Sequence, residues 1–213
     1  LSSCSDENAL EAEINLIPVV IDIDRFDLKF YNATPEEYVE LKKSYPYLFP
    51  EQFPDSIWVK RQRDSIQTLL HAEIKNIYSS LDPVKEELLS LYKHIKYYFP
   101  QIQDPHIVTV VNNVDYQSKT VFTDSLLIIS LDTYLGSKNP LYEGIPSYIV
   151  QDMEFPYMMS HITDELGTAL VKSPVNRTLL GQMIYYGKKL YLKDLLLPKA
   201  SDPVKISYSQ EQI

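Results

Sequence analysis

Leu126-Leu127-Ile128-Ile129-Ser130-Leu131 is a nearly continuous apolar run, of the kind that suits a strand covered on both faces. Before it come the almost wholly β-branched Ile107-Val108-Thr109-Val110-Val111, the turn signal Asn112-Asn113 and a second short strand over Lys119 to Thr123. A small sheet in the middle of the chain follows. On either side the periodicity is helical. From Asp55 to Leu81, Ile66, Leu69, Leu70, Ile74, Ile77, Tyr78 and Leu81 fall three and four apart, which predicts one long helix with a core-facing stripe. Asp82-Pro83 restarts the helix, and Val84, Leu88, Leu91, Tyr92, Ile95 and Phe99 carry the stripe to Pro100, so the two helices are expected to form an antiparallel hairpin. After the sheet, helices are expected over about 156–171 and 176–196. The fold class is α+β and mostly helical: a helical hairpin and a small mixed sheet, followed by core helices.

Nearer the N-terminus, Ile17 to Ile23 is β-branched and opens with Pro18, which predicts a first strand at or near a sheet edge. Thr34-Pro35-Glu36-Glu37 writes a helix start with a capping box, and that helix should stop before Pro46. Tyr45-Pro46-Tyr47-Leu48-Phe49-Pro50 is a proline-bracketed aromatic turn, read as a plug for the core.

The chain has 213 residues, 45% of them hydrophobic, enough for one well-buried core. A net charge of -9 argues against a nucleic-acid partner, because a polyanion would be repelled. The densest basic cluster, Lys60-Arg61-Gln62-Arg63, reads as the wet face of a helix. No run approaches the roughly 18 apolar residues of a spanning helix.

The only cysteine is Cys4, and Leu1-Ser2-Ser3-Cys4 has the shape of a lipobox, an apolar residue and two small ones before a cysteine. Acylation of Cys4 would anchor the chain firmly, since each buried methylene contributes about 0.8 kcal/mol. Ser5 stands where an inner-membrane retention signal would place Asp, which points to the outer membrane. The acidic, apolar-poor stretch from Ser5 to Glu13 is expected to be a solvated leash. Residues 1–16 are therefore assigned to a lipobox remnant and flexible tether, and residues 17–213 to a single domain. At the other end, Ser209-Gln210-Glu211-Gln212 starts a capping box with no helix after it, so the domain is expected to continue beyond Ile213.

Motifs for chemistry are sparse. With five scattered glycines there is no phosphate loop, and neither CxxC nor HExxH occurs. His161 and Glu165 lie four apart on the helix expected over 156–171, with Asp164 beside them, a spacing at which ligand pairs do bind zinc. A zinc peptidase needs a glutamate directly after the first histidine, and here it is Ile162. Met159, Ile162, Leu166, Ala169 and Leu170 put that position on the buried face, leaving His161 and Glu165 as a solvated pair. No catalytic residue, metal ligand or cofactor is assigned; His71 and His94 are read as packing or surface histidines.

Arg25-Phe26-Asp27, Tyr45-Pro46-Tyr47-Leu48-Phe49, the run from Leu127 to Gly136, Ile145-Pro146-Ser147-Tyr148-Ile149 and Gly187-Lys188-Lys189-Leu190-Tyr191 occur in the order and spacing of one family. The chain resembles the GldB family of gliding-motility lipoproteins of Bacteroidetes. The resemblance implies a zincin-like fold, distantly related to zincin metallopeptidases. His161-Ile162-Thr163-Asp164-Glu165 stands where HExxH would be, and Tyr186-Gly187 where a Glu-Gly pair would supply a third ligand. A scaffold that keeps the fold without the general base is expected not to hydrolyse peptides.

The expected function is thus a non-enzymatic accessory lipoprotein, required for gliding motility, that holds other gliding or secretion proteins of the envelope. Two alternatives come from other classes. One is a zinc hydrolase using His161, Glu165 and a ligand supplied from the part expected beyond Ile213. The other is a glycan-binding surface lipoprotein built on Tyr97, Tyr98, Tyr185 and Tyr186.

Overall fold

The computed structural model describes residues 3–123 and 125–208, with side chains from Asn8 onward. The side chain of Cys4 and the capping signal at Ser209 to Gln212 lie outside the described residues. The chain is mostly helical around a small mixed sheet of strand order β1-β2-β4-β3. Its centre is β2 (His106–Val110) and β4 (Leu126–Ser130), parallel and in register from His106↔Leu126 to Val110↔Ser130. The edges are β1 (Ile23–Asp24), parallel to β2, and β3 (Thr120–Phe122), antiparallel to β4.

Alternation along β2 feeds two cores. Ile107 belongs to the larger one with Leu127, Ile129, Leu91, Tyr92 and Ile162. Val108 points the other way, into an aromatic cluster of Phe26, Tyr38, Tyr45 and Phe49. The expected strands of the middle segment are present, β2 covered on both faces and β3 and β4 only in part, and Tyr45 and Phe49 plug the second core.

The first strand is shorter than the stretch from Ile17 to Ile23. Only Ile23 and Asp24 pair with β2, and Ile21 instead sinks into the larger core. Helix α1 (Ser3–Asn15) occupies most of the stretch expected to be a leash. Ala9, Leu10, Glu11 and Ala12 are strong helix formers, and burial of Ile14 fixes the last turn on the protein. Lys93 donates to the Asn15 carbonyl at 2.8 Å and His94 meets Glu11 at 3.0 Å. Helix α2 (Phe26–Asn32) follows β1, and α3 (Pro35–Ser44) has the capping box written in its sequence. Thr34 Oγ1 accepts from the Glu37 N–H at 3.3 Å, and Glu37 accepts from the Thr34 N–H at 2.9 Å.

The expected long helix is two, α4 (Asp55–Gln62) and α5 (Ser65–Ile77). Asp64 separates them: its backbone is extended, and its carboxylate accepts from the Ile66 and Gln67 N–H groups and starts a new helix. On α5 itself Ile66, Leu69 and Ile77 face outward, while Leu70 and Ile74 stay in the core. Helix α6 (Asp82–Tyr98) packs on α1 and on two later helices, and α5 packs on α2 and on the turn after β4, so the two do not form the packed hairpin expected. After the sheet come α7 (Ser147–Val150), α8 (Met158–Leu170), α9 (Leu179–Leu196) and α10 (Asp202–Ile206). Among the described residues, no helix is long and apolar enough to cross a membrane.

Candidate functional site

Helix α8 lies against the edge strand β3 and packs along α9. This brings His161 next to Asp152, which sits after α7, and Tyr134, which follows β4. The His161 Nε2 to Asp152 Oδ2 distance is 3.1 Å and the Nδ1 to Tyr134 hydroxyl distance is 3.0 Å. Lys119 pairs with the same carboxylate, and Tyr78 donates to the Tyr134 carbonyl at 2.7 Å. Burial holds the imidazole below its ordinary value, against the pull of Asp152. A neutral ring with its proton on Nε2 satisfies every contact: Nε2–H donates to Asp152 and Nδ1 accepts from Tyr134. His161 is therefore a largely buried, fully partnered residue, its side chain 12% exposed, not the solvated one expected from spacing. Its helical neighbour Asp164 turns to another partner.

That partner is Lys193, which is buried on α9. Its ammonium reaches Asp164 at 2.7 Å, Ser160 Oγ at 2.9 Å and the Lys205 carbonyl at 2.7 Å, one acceptor for each N–H. The contacts tie α8, α9 and α10 together. Burial pushes the half-buried Glu165 carboxyl up. Among the described residues, no group of three or more His, Cys, Asp or Glu side chains is placed to hold a metal ion.

A second constellation lies on the aromatic side of the sheet. Arg25 grips Asp27 through two parallel bonds, Nε to Oδ1 at 2.9 Å and Nη2 to Oδ2 at 2.7 Å, and Thr109 of β2 donates to the same carboxylate at 2.5 Å. Phe26, between them in sequence, enters the aromatic core. Arg25 also donates to the Tyr78 carbonyl at 3.1 Å. The Arg25-Phe26-Asp27 triplet thus clamps α2 onto β2 and α5.

Above Asp27 opens a cavity of about 210 Å³ between α2, α4, α5 and the uncovered part of β3 and β4. Phe30, Phe49 and Trp58 form apolar walls, and Tyr31 stacks on His71 with centroids 3.7 Å apart. Arg61 enters from α4 and donates to the Val111 carbonyl at 3.0 Å. Two polar atoms of the wall, Trp58 Nε1 and His71 Nε2, have no partner among the described residues. Burial lowers the His71 pKa, so the ring is neutral. A void of about 150 Å³ already holds benzene, so this one has room for an aromatic or branched apolar group bearing a hydrogen-bonding atom.

One rim of the cavity is the loop after β2. Asn113 and Val114 both have φ of 55°, unusual for any residue but glycine and a genuine outlier for β-branched valine. Asp132, wholly buried, holds the loop there. It accepts from the Asn112 N–H at 2.9 Å and the Val114 N–H at 2.6 Å, and Gln67 bonds the Asn113 side chain. Burial pushes the Asp132 carboxyl up against these stabilising bonds.

The family model of gliding motility protein GldB matches residues 7–213. The chain belongs to the GldB family. Comparison with curated proteins and with solved structures finds no match.

In this GldB-family chain the Arg25-Phe26-Asp27 triplet stands out in the sequence only as a family motif and the proline-bracketed turn only as core packing, and the structure puts Phe26, Asp27, Leu48 and Phe49 at one cavity. Arg61 and Gln62, read as a wet helix face, line it instead, Arg61 bonded to the Val111 carbonyl and Gln62 to the Phe30 carbonyl. The cavity roles of Trp58 and His71 were missed. A single tryptophan beside a basic cluster was the available signal. Tyr97 and Tyr98 pack edge to face at 5.0 Å, and Tyr185 and Tyr186 at 5.3 Å, neither pair forming a parallel stacking platform.

Proposed function

We propose that this chain is an accessory lipoprotein of the gliding machinery, fastened to the cell envelope by acyl groups on Cys4 and acting by binding other envelope proteins, not by catalysis. The family match over residues 7–213 carries the link to gliding. The lipobox shape of Leu1 to Cys4 supports the anchor, and Ser5 after it supports the outer membrane. The zincin relationship belongs to the same proposal. The small sheet followed by α8 has the element order of that plan, and His161 stands at the first ligand position.

The non-catalytic part is supported by the occupation of His161. Both ring nitrogens are taken, and the neighbouring Asp152 is paired with Lys119, so an ammonium stands beside the imidazole where a peptidase would bring a metal. For a metal to bind, the contacts of His161 with Asp152 and Tyr134 would have to be exchanged. The cavity walled by Phe30, Phe49 and Trp58 gives a place to grip an apolar side chain of a neighbour, in the manner of an interface anchor pocket.

The test is crosslinking of the lipidated protein in its own cells, followed by identification of what it holds, beside metabolic labelling of Cys4 with a fatty acid. Capture of gliding or secretion components, lost when Trp58→Ala and Arg61→Ala are combined, is expected. Metal analysis decides the rival class: stoichiometric zinc that disappears in His161→Ala would overturn the non-catalytic proposal.

A further inference from the structure

Helix α9 exposes apolar residues where a globular surface would carry charge. Leu179 is 79% exposed, Leu180 67%, Met183 62%, Ile184 50% and Tyr191 63%. At 100° per residue these side chains and Leu190 share one broad face. The opposite face, with Leu192, Lys193 and Leu196, packs on α8 and α6. Val175, in the loop before α9, is 91% exposed. Charge singles out the same region. In a protein of net charge -9, residues 166–193 contain no Asp or Glu, and Lys172, Arg177 and Lys188 stand exposed there. Apolar, tyrosine-bearing and cationic together is the composition of a helix that lies in a lipid interface.

The packing shows where this face sits. On α6, Tyr98 lies in electrostatic reach of both Glu11 of α1 and Tyr191 of α9, while Leu91 shares a surface groove with Leu196. Helix α9 therefore runs antiparallel to α6, and its first two thirds, from Leu179 to Tyr191, projects beyond the end of α6 by about 18 Å at the helical rise. Helix α1 goes the same way. Asn15 meets Lys93, and Glu11 meets His94 and lies near Tyr98. Followed backwards, α1 climbs past Tyr98 and carries Cys4 about 10 Å further. The cysteine and the apolar half of α9 share one end of the molecule.

We infer that this end is a membrane-docking surface, on which the exposed face of α9 lies in the interface of a bilayer carrying anionic lipid. It extends the proposed acyl anchor by giving the protein a second membrane contact and a fixed orientation, and only the role of Cys4 rests on that proposal. Two weak signals give stable attachment where one gives reversible binding.

The experiment uses full-length Cys4→Ala protein, which cannot be acylated, in flotation with phosphatidylethanolamine vesicles with or without phosphatidylglycerol. Capture by the phosphatidylglycerol vesicles is expected, weakened by salt and by about fivefold in Lys188→Gln. The pair Leu180→Asp with Ile184→Asp should abolish it, whereas Val39→Asp, on an exposed apolar position of α3, should not. Unchanged circular dichroism certifies that the variants fold. Absence of capture, or capture indifferent to the α9 pair, overturns the inference. So does self-association lost in the α9 pair without vesicle binding, which would make the face an interface between copies. Because acylation is blocked throughout, failure here leaves the Cys4 anchor standing, and failure of Cys4 labelling in cells leaves this result standing.

Discussion

At the scale of single residues, buried polar groups do the specifying. Asp132 holds two backbone N–H groups of a loop whose Asn113 and Val114 occupy the left-handed region. Without the carboxylate those part-buried donors lose their partner, and a positive φ at valine loses its support. Asp132→Ala is expected to lower unfolding free energy by about 3 kcal/mol, measured by urea denaturation; a change within about 0.5 kcal/mol would show that the loop holds itself. His161 makes a second prediction. Its pKa is depressed by burial, so below its ordinary value of 6.5 the unfolded chain takes up a proton that the folded one refuses. Stability is complete above that value and falls as pH drops toward the folded pKa. His71 acts in the same direction. Melting temperatures from about pH 7 to about pH 5 should fall in the native protein and fall less steeply in His161→Gln; parallel slopes would refute the assignment.

At the scale of elements, the caps decide where helices begin. Thr34 and Glu37 close a reciprocal capping box on α3, and both residue types and their spacing are visible in the sequence. Thr34→Ala should cost about 1 kcal/mol, read as a lower urea midpoint with an unchanged slope; no shift would mean that packing of Tyr38 alone holds α3. Asp64 carries the same chemistry, but residues 55–81 read as one helix, with each apolar position three or four apart from Ile66 onward assigned to its core stripe. The periodicity of Ile66, Leu69 and Ile77 therefore predicted burial for positions that face solvent. A cap signal competes with a continuous helical reading, and the structure, in which Asp64 caps α5, says which prevails. Helix α1 makes the reverse case. Its acidity argued for disorder, yet burial of a single residue, Ile14, and contacts from Lys93 and His94 draw its last turns onto α6.

At the scale of the molecule, the mixed sheet divides two interiors. The larger is aliphatic, tyrosine-containing and closed. The smaller is aromatic and left open above β3 and β4, and the cavity lies there. The strands were legible because β-branched runs report burial locally, and the aromatic plug was legible because prolines bracket it. The cavity was not, since its lining comes from α2, α4, α5, β2, β3 and β4, and no stretch of chain contains more than a fragment of it. Nor was the partnering of His161, whose contacts Asp152 and Tyr134 lie 9 and 27 residues away.

What the sequence determined by itself is local: the strand runs, the capping box, the plug, the missing HExxH and the order of motifs that belongs to the GldB family. These follow from neighbours along the chain, which set periodicity, backbone preference and hydrogen bonding within a turn or two. Tertiary structure alone decided which face of each helix is wet, that His161 is closed in, and that α1 and the apolar half of α9 point the same way. Those outcomes depend on groups far apart in sequence competing for the same buried space, and no local pattern records which of them wins.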